Sequence, residues 1–377
     1  MARIDEATEL AVRLAAGNGK QERIVRKVYE RCGVQTKSSV LIDDPADALQ
    51  SIGRFYHRPT APDDRGPGTA ARMHHYQVHA GPLARRAAEA AIGDWRSHDD
   101  QADAAAITHL ITVSCTGFVA PGVESHLIET LGLRPETARL QIGFLGCHAS
   151  INGLAAATAI VDADPAAIVL MVSVELCSLH LQYGFDADRI TSGALFADGA
   201  AAAVIRRPAA SMVEPGEANA PAAAIADGPA IADGPATKSR PAIAFRCERL
   251  PNTEDEMTWR IGDHGFEMTL SARVPGIIRG TLPTFIDRFL GDQGLSRDQV
   301  GGWAVHPGGP RILDAVRDAL ELHETQLDIS RQTLADHGNM SSATMLFLIQ
   351  RMRTATPRPW FLLGFGPGLE IEAAIIR

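Results

Sequence analysis

Three residues in this 377-residue chain have side chains that could act together on a thioester, and each lies in or beside a glycine-rich turn: Cys147, His306 and Asn339. The run Gly143-Phe144-Leu145-Gly146-Cys147 ends a short strand-like segment, and the small and apolar residues that follow to Val161 read as a buried helix closed by Pro165. Cys147 therefore opens a helix, where unpaired backbone N–H groups and the helix dipole favour thiolate over thiol and lower its pKa. Val305-His306-Pro307-Gly308-Gly309-Pro310 places a histidine at a strand end before a turn that opens a helix, and Asp336-His337-Gly338-Asn339-Met340-Ser341-Ser342 does the same for an asparagine. An imidazole can take or hold the thiol proton, and a carboxamide can donate to a thioester oxygen as it becomes an oxyanion. Each residue also has a plain structural reading: a core cysteine, a hydrogen-bonded core histidine and an asparagine N-cap.

Such side chains must be held by a scaffold, and the chain reads as strand, turn and helix repeated from Ile107 onward. Thr108–Ser114, Leu140–Leu145 and Ala167–Val174 are nearly continuous apolar runs separated by helical segments, the pattern of a sheet covered on both faces. After residue 243 come a helix over 274–290, a strand at 303–305, helices over 310–322 and 341–353, and a strand at 360–365. Two α/β halves follow, 1–207 carrying the cysteine and 243–377 carrying the histidine and asparagine. Between them, 208–242 is rich in Ala, Pro and Gly and repeats Ala-Ile-Ala-Asp-Gly-Pro in tandem, as expected of a linker loop with no core of its own. Ahead of residue 107, residues 3–31 suggest one amphipathic helix ending in the basic cluster Arg26, Lys27 and Arg31. Residues 54–72 suggest loop, and 69–95 helix.

Composition narrows the function. A net charge of −9 argues against nucleic acid as the main partner. Five widely spaced cysteines without a CxxC pair point to reduced thiols and a cytoplasmic location. No signal-peptide core or long apolar span is visible, so no stable membrane association is expected. His75 and His79 have the i, i+4 spacing of metal ligands, but with no third ligand nearby they read as surface or packing histidines, and no metal is expected.

Four ordered segments resemble the signatures of the type III polyketide synthases, the chalcone synthase family: Gly143-Phe144-Leu145-Gly146-Cys147, Ala304 to Asp314 around His306-Pro307-Gly308-Gly309, Gly338-Asn339-Met340-Ser341-Ser342-Ala343, and Gly364-Phe365-Gly366-Pro367-Gly368-Leu369. The resemblance runs from about residue 24 to the C-terminus. It implies the thiolase fold with two similar α/β/α/β/α halves, a homodimer, and iterative decarboxylative condensation of malonyl-CoA onto an acyl-CoA starter, followed by cyclisation to an aromatic or pyrone product. By that resemblance Cys147 carries the acyl chain while His306 and Asn339 promote decarboxylation and bind the enolate oxygen. Phe196 and Phe266 match the paired aromatics between CoA tunnel and reaction cavity, and Arg26, Lys27, Arg31 and Gly308 are placed against CoA. No cofactor beyond the CoA thioesters themselves is implied.

The cyclisation cavity would be lined by Cys115, Cys177, His180, Met257 and Ser341. The plant enzymes have threonine at the first three positions and glycine at the fourth, so Met257 should narrow the cavity and a chalcone product is not expected. The stretch Trp259 to Phe266 looks like that of bacterial members. Two other readings remain at this level: a ketoacyl-ACP synthase III, with the same fold and Cys/His/Asn set, and a Cys/His/Asn thioester hydrolase.

Overall fold

The computed structural model describes residues 1–15, 17–207, 242–354 and 356–377; the expected linker at 208–242 lies, but for its last residue, outside them. The chain opens with β1 (Ala2–Arg3), α1 (Ile4–Ala15), α2 (Gly19–Glu30) and β2 (Thr36–Lys37). The single helix expected over 3–31 is thus two. The Asn18 side chain accepts from the backbone N–H groups of Lys20 and Gln21 while the Gln21 side chain accepts from the Asn18 N–H, a capping box that starts the second helix. After α3 (Ala48–Gly53) and the long α4 (Thr69–His98), a layered half is built from β3 (His109–Ser114), α5 (Val123–Leu131), β4 (Ala138–Gly143), α6 (Ala149–Ala163), β5 (Ile168–Leu176), α7 (Ala187–Leu195) and β6 (Asp198–Arg206). The second comprises β7 (Ile243–Arg249), the hairpin β8 (Met257–Gly262) and β9 (Gly265–Leu270), α8 (Val274–Asp292), β10 (Gly302–Val305), α9 (Pro310–Leu320), α10 (Asp328–His337), α11 (Ala343–Met352), β11 (Trp360–Gly366) and β12 (Glu370–Ile376).

Each half contributes a four-stranded sheet, in the orders β4-β3-β5-β6 and β10-β11-β12-β7. In the first, β3 runs parallel to β4 and β5, and β6 antiparallel to β5; in the second only β10 and β11 are parallel. The two-residue alternation of side chains then fixes the layers. In β5, Leu170, Val172 and Val174 pack outward with α4 and α5, while Val169 and Met171 point to α6. In β11, Phe361, Leu363 and Phe365 join the outer cluster with α8 and α9, while Trp360 and Leu362 face inward. Helices α6 and α11 share that inner cluster with both sheets, giving five layers: helices, sheet, two central helices, sheet, helices. Burial of each such Leu, Val or Phe contributes roughly 1.5–3 kcal/mol. Gly153 lets α6 lie close on β5, since a Cβ there would stand 2.7 Å from the Met171 methyl.

The same alternation aims the polar residues. His306 follows β10 on the inward side with Ala304, and its N–H donates to Leu363 O at 2.8 Å, prolonging the ladder by one residue. Glu175 shares the inward face of β5 with Met171 and Ser173, and is fully buried.

Candidate active site

Cys147 sits in one 3-10 turn, Gly146–His148, between β4 and α6. The helix expected to start at this residue begins at Ala149. Phe144 before it adopts a left-handed φ of 59°, which turns the chain back under the sheet edge. Asn339 does not stand at a strand end, as its sequence suggested, but in the turn between α10 and α11. That turn is bound to the opposite half: Asn339 N–H donates to Leu195 O at 2.8 Å and Ala197 N–H to Asn339 O at 2.9 Å, a parallel bridge beside Phe196.

These contacts orient the carboxamide. Ser341, held at a positive φ of 49°, donates its N–H to Asn339 Oδ1 at 2.8 Å. The amide nitrogen is thereby left to face the Cys147 sulfur, with Nδ2 and Sγ 4.0 Å apart. His306 is 2 % exposed and neither ring nitrogen finds a well-formed hydrogen bond among the described residues. The Asn339 carboxamide favours its charged form, but burial outweighs it and pulls its pKa down to about 3.

The thiol moves the other way from the sequence-based expectation. Burial pushes Cys147 up to about 12; the Ser341 and Asn339 side chains lower it, and the Glu175 carboxylate opposes them. The turn geometry explains the difference: the sulfur precedes α6, inside a desolvating wall, and that cost exceeds the help of nearby N–H groups. Thiol and imidazole are both neutral at rest, so the imidazole is available as a proton acceptor. Cys115 and Cys177 lie well above the ordinary thiol value, again by burial, and the Asn339 and Ser341 side chains that lower Cys147 act on neither.

Cys147 opens into a cavity of about 1110 Å³ including its mouth. All five positions singled out from the sequence line it, Cys115, Cys177, His180, Met257 and Ser341, together with both aromatics, Phe196 and Phe266. His306 and Asn339 are not part of its lining; they stand behind the cysteine. His180 is less polar in effect than its type suggests. Its Nε2–H donates to Thr116 O at 2.8 Å, its Nδ1 accepts from Phe266 N–H at 3.0 Å, and its ring stacks on Phe266 at 4.3 Å. Burial pulls its pKa down to about 3, so it presents a neutral ring whose nitrogens are both occupied.

Two residues with structural weight here were not found by sequence reasoning. Glu175 accepts from Cys115 N–H and the Thr116 hydroxyl, both at 2.9 Å, and from the Ser342 hydroxyl, which ties the floor of the cavity to the head of α11. A lone carboxylate at the end of an apolar strand was the available signal. Lys37 is buried near the cavity, and nothing in its sequence surroundings marks it.

A groove of about 1370 Å³ adjoins the cavity, sharing Asp188 with it, and is lined by Lys27 of α2, by Arg31 just past its end and by Gly308, Gly309 and Arg311. Arg26 is not among its lining residues. Its guanidinium pairs with Glu9 at 2.6 Å and Glu22 at 2.8 Å, and this corrects its assignment to the basic cluster facing CoA. His75 and His79 stack ring on ring at 5.8 Å, and no group of three His, Cys, Asp or Glu suited to a metal occurs among the described residues.

A half-buried cysteine at the head of a central helix, faced by an asparagine that has a histidine beside it, both from the other half of a five-layered α/β/α/β/α molecule, defines a thiolase-fold condensing enzyme. Comparison with known proteins narrows the class. The family descriptions "Chalcone and stilbene synthases, N-terminal domain" and "C-terminal domain" match residues 56–208 and 244–377. The chain is 32% identical over 381 residues to a 1,3,6,8-tetrahydroxynaphthalene synthase of Streptomyces peucetius, covering 99% of this chain and 88% of that protein. It is 31% identical over 376 residues to the alpha-pyrone synthesis polyketide synthase-like Pks18 of Mycobacterium tuberculosis, covering 98% and 86%. Among solved structures, PKS-I of the brown alga Ectocarpus siliculosus superposes with a TM-score of 0.80 at 27% identity, covering 100% of this chain and 94% of the other. The chain belongs to the chalcone and stilbene synthase family and is a type III polyketide synthase, an acyltransferase that forms carbon–carbon bonds by Claisen condensation.

Proposed function

We propose that Cys147 is the acyl-carrying nucleophile and that His306 and Asn339 serve it from behind in decarboxylative condensation of malonyl-CoA with an acyl-CoA starter. The observation that carries this reading is the Asn339 amide aimed at the Cys147 sulfur by a backbone N–H on its own oxygen. His306 takes the thiol proton as the sulfur attacks the starter thioester, and returns it to the departing CoA thiolate. Malonyl-CoA then loses CO2, and the electron pair left behind forms an enolate whose oxygen is held by the Asn339 amide and the N–H of the neutral His306 imidazole. The enolate carbon attacks the Cys147 thioester and expels the cysteine thiolate, lengthening the chain by two carbons. Loss of CO2 itself generates the carbanion, so this sequence of steps calls for no metal or redox cofactor.

Phe196 and Phe266 stand at the entrance as gates. Lys27, Arg31 and Gly308 receive CoA in the adjoining groove, where two cations suit its phosphates. Met257 and the cavity cysteines set the ring closure, toward products of the pyrone or naphthol kind named for the two relatives. The working unit is a homodimer: β4 is a sheet edge whose Ala138, Arg139, Leu140 and Gln141 are all exposed, and Phe118 nearby is 46% exposed. The five cysteines are free thiols, as suits the cytoplasm. Among the described residues no helix is long and apolar enough to cross a membrane.

The test is mass spectrometry of products from a panel of acyl-CoA starters with malonyl-CoA, with malonyl-ACP offered in parallel. Chain-extended, decarboxylated products from malonyl-CoA support the reading. Release of free acid without carbon gain, or a strict demand for the ACP thioester, refutes it.

A further inference from the structure

Beside the catalytic cavity lies a second, smaller chamber that the steps above do not use. Leu181, Gln182, Arg189, Gly193 and Phe196 line both, so a single layer of residues divides them. Its far walls are aliphatic: Leu10, Ala11 and Leu14 of α1, with Ile52 and Ile190. Opposite these walls lie the polar heads of Lys37 and Tyr29. Lys37 is 9% exposed and its ammonium donates to the Gly193 carbonyl oxygen; no carboxylate forms an ion pair with it among the described residues. Tyr29 is 4% exposed and its hydroxyl makes no hydrogen bond among the described residues, although it lies against the dividing layer, 2.9 Å from where a Gly193 Cβ would be.

A buried cation without an anionic partner is costly, because desolvation is not repaid. Asp198 offsets part of it through space, but its carboxylate is held by Ser178 N–H at 2.6 Å, by the Ser178 hydroxyl and by Val40 N–H at 2.8 Å, and it makes no direct ion pair with the ammonium among the described residues. The other groups acting on Lys37 are the Cys32 and Cys177 thiols, both neutral. Burial lowers the lysine to about 8, which still leaves it mostly charged at neutral pH. Arg189, on the shared wall, adds a second positive charge and spends one N–H on Tyr183 O at 3.0 Å. An ammonium and a free phenol thus meet at Gly193, the one residue of the partition that has no side chain, with the Arg189 guanidinium on the same wall.

We infer that this chamber is a subsite for the far end of the starter acyl chain, and that Lys37 and Tyr29 select starters ending in a carboxylate. The inference rests on Cys147 being acylated by acyl-CoA, as proposed above. An acyl group bound to the sulfur runs through the catalytic cavity and turns past Gly193; its methylenes lie against α1, and its terminal carboxylate accepts from Lys37 Nζ and Tyr29 Oη.

The test compares starters of equal length, adipoyl-CoA against hexanoyl-CoA and suberoyl-CoA against octanoyl-CoA, by following acylation of Cys147 with intact-protein mass spectrometry. Wild-type protein should load the dicarboxylyl member of at least one pair as fast as its partner or faster. Lys37→Met, close to isosteric and free of the buried charge, should lower the dicarboxylyl-to-monocarboxylyl rate ratio about tenfold, the effect of losing one charge-assisted hydrogen bond. Tyr29→Phe, which keeps the ring packing, should lower the same ratio severalfold. Lys20→Met, at an exposed position on α2, should leave it unchanged. Equal ratios in wild type, Lys37→Met and Tyr29→Phe would overturn the subsite, as would wild-type loading of monocarboxylyl starters alone. Failure of every acyl-CoA to load Cys147 would instead overturn the acylation step beneath it, and the subsite with it.

Discussion

The wall behind Cys147 and the wall in front of it are built differently. Behind stand His306 and Asn339, both almost fully buried, supplied by β10 and the α10–α11 turn of the C-terminal half, and absent from the cavity surface. In front stand Cys115, Cys177 and His180 from the N-terminal half and Met257 from the β8–β9 hairpin, all exposed to the cavity. Asn339 faces the sulfur with its carboxamide oriented by a backbone hydrogen bond, whereas the front groups line the volume that a growing chain would fill. Rate and product should therefore respond to substitutions in separate walls.

The separation can be broken most severely at its boundary. Cys147→Ala should abolish chain extension while keeping part of the malonyl-CoA decarboxylation, measured as CO2 release against polyketide formed; undiminished polyketide output would remove the cysteine from its role. Next in size, Asn339→Ala should lower decarboxylation by about 10²–10³, the usual cost of one oxyanion donor, acting on kcat more than on KM. A loss below tenfold would show that the rear wall does not hold the enolate. Met257→Gly, in the front wall, should change decarboxylation by less than about threefold while shifting products toward bulkier starters or further extensions, since a methylene or so of room is worth about 1–3 kcal/mol of discrimination. An unchanged product profile would place the size limit elsewhere. In the CoA groove, Lys27→Ala or Arg31→Ala should raise the KM for CoA thioesters severalfold in a salt-sensitive manner. Arg26→Ala should leave KM alone and change stability little, being an exposed ion pair.

The smallest effect is on pH dependence. His180 and His306 are both held at about 3, against 6.5 for an ordinary histidine, so in this range the unfolded chain binds protons that the folded chain refuses. Their contribution is complete above about pH 6.5 and is lost as the pH falls toward 3. His180→Phe, which can keep the stack on Phe266, removes one share of that loss. The melting temperature of wild type relative to this variant should drop between about pH 7.5 and about pH 5; a constant difference would mean that His180 is not held neutral by burial.

Local pattern carried much of this molecule. The apolar runs of β3 and β5 marked a covered sheet, and glycine-flanked Cys147 and His306 marked their turns, because strand alternation and backbone reversals are written in adjacent residues. Asn339 was legible as a site residue but not in its setting, since its turn is shaped by Leu195 and Ala197, far away in sequence. The acidity of Cys147 was misjudged for a related reason: a helix start is a local signal, whereas the desolvation that overrides it is supplied by both halves together. Arg26 looked like its neighbours Lys27 and Arg31 until Glu9 of α1 was seen to claim it. Lys37 and Tyr29 had no motif at all, and only packing α1 and α2 beside α7 brings their polar heads to one glycine.

The bridge between Phe196 and Asn339 has a further implication. Phe196, proposed above as a gate, and the amide that faces the sulfur are neighbours on one hydrogen-bonded rung, so a change that swings that ring aside should also drag the donor out of line. Such an enzyme cannot acquire a roomier entrance by altering this rung without slowing its chemistry. Inherited variation in starter choice should then accumulate at Met257, along α1 and around the side chamber, where space can be remodelled while the hinge between entry and reaction is left intact.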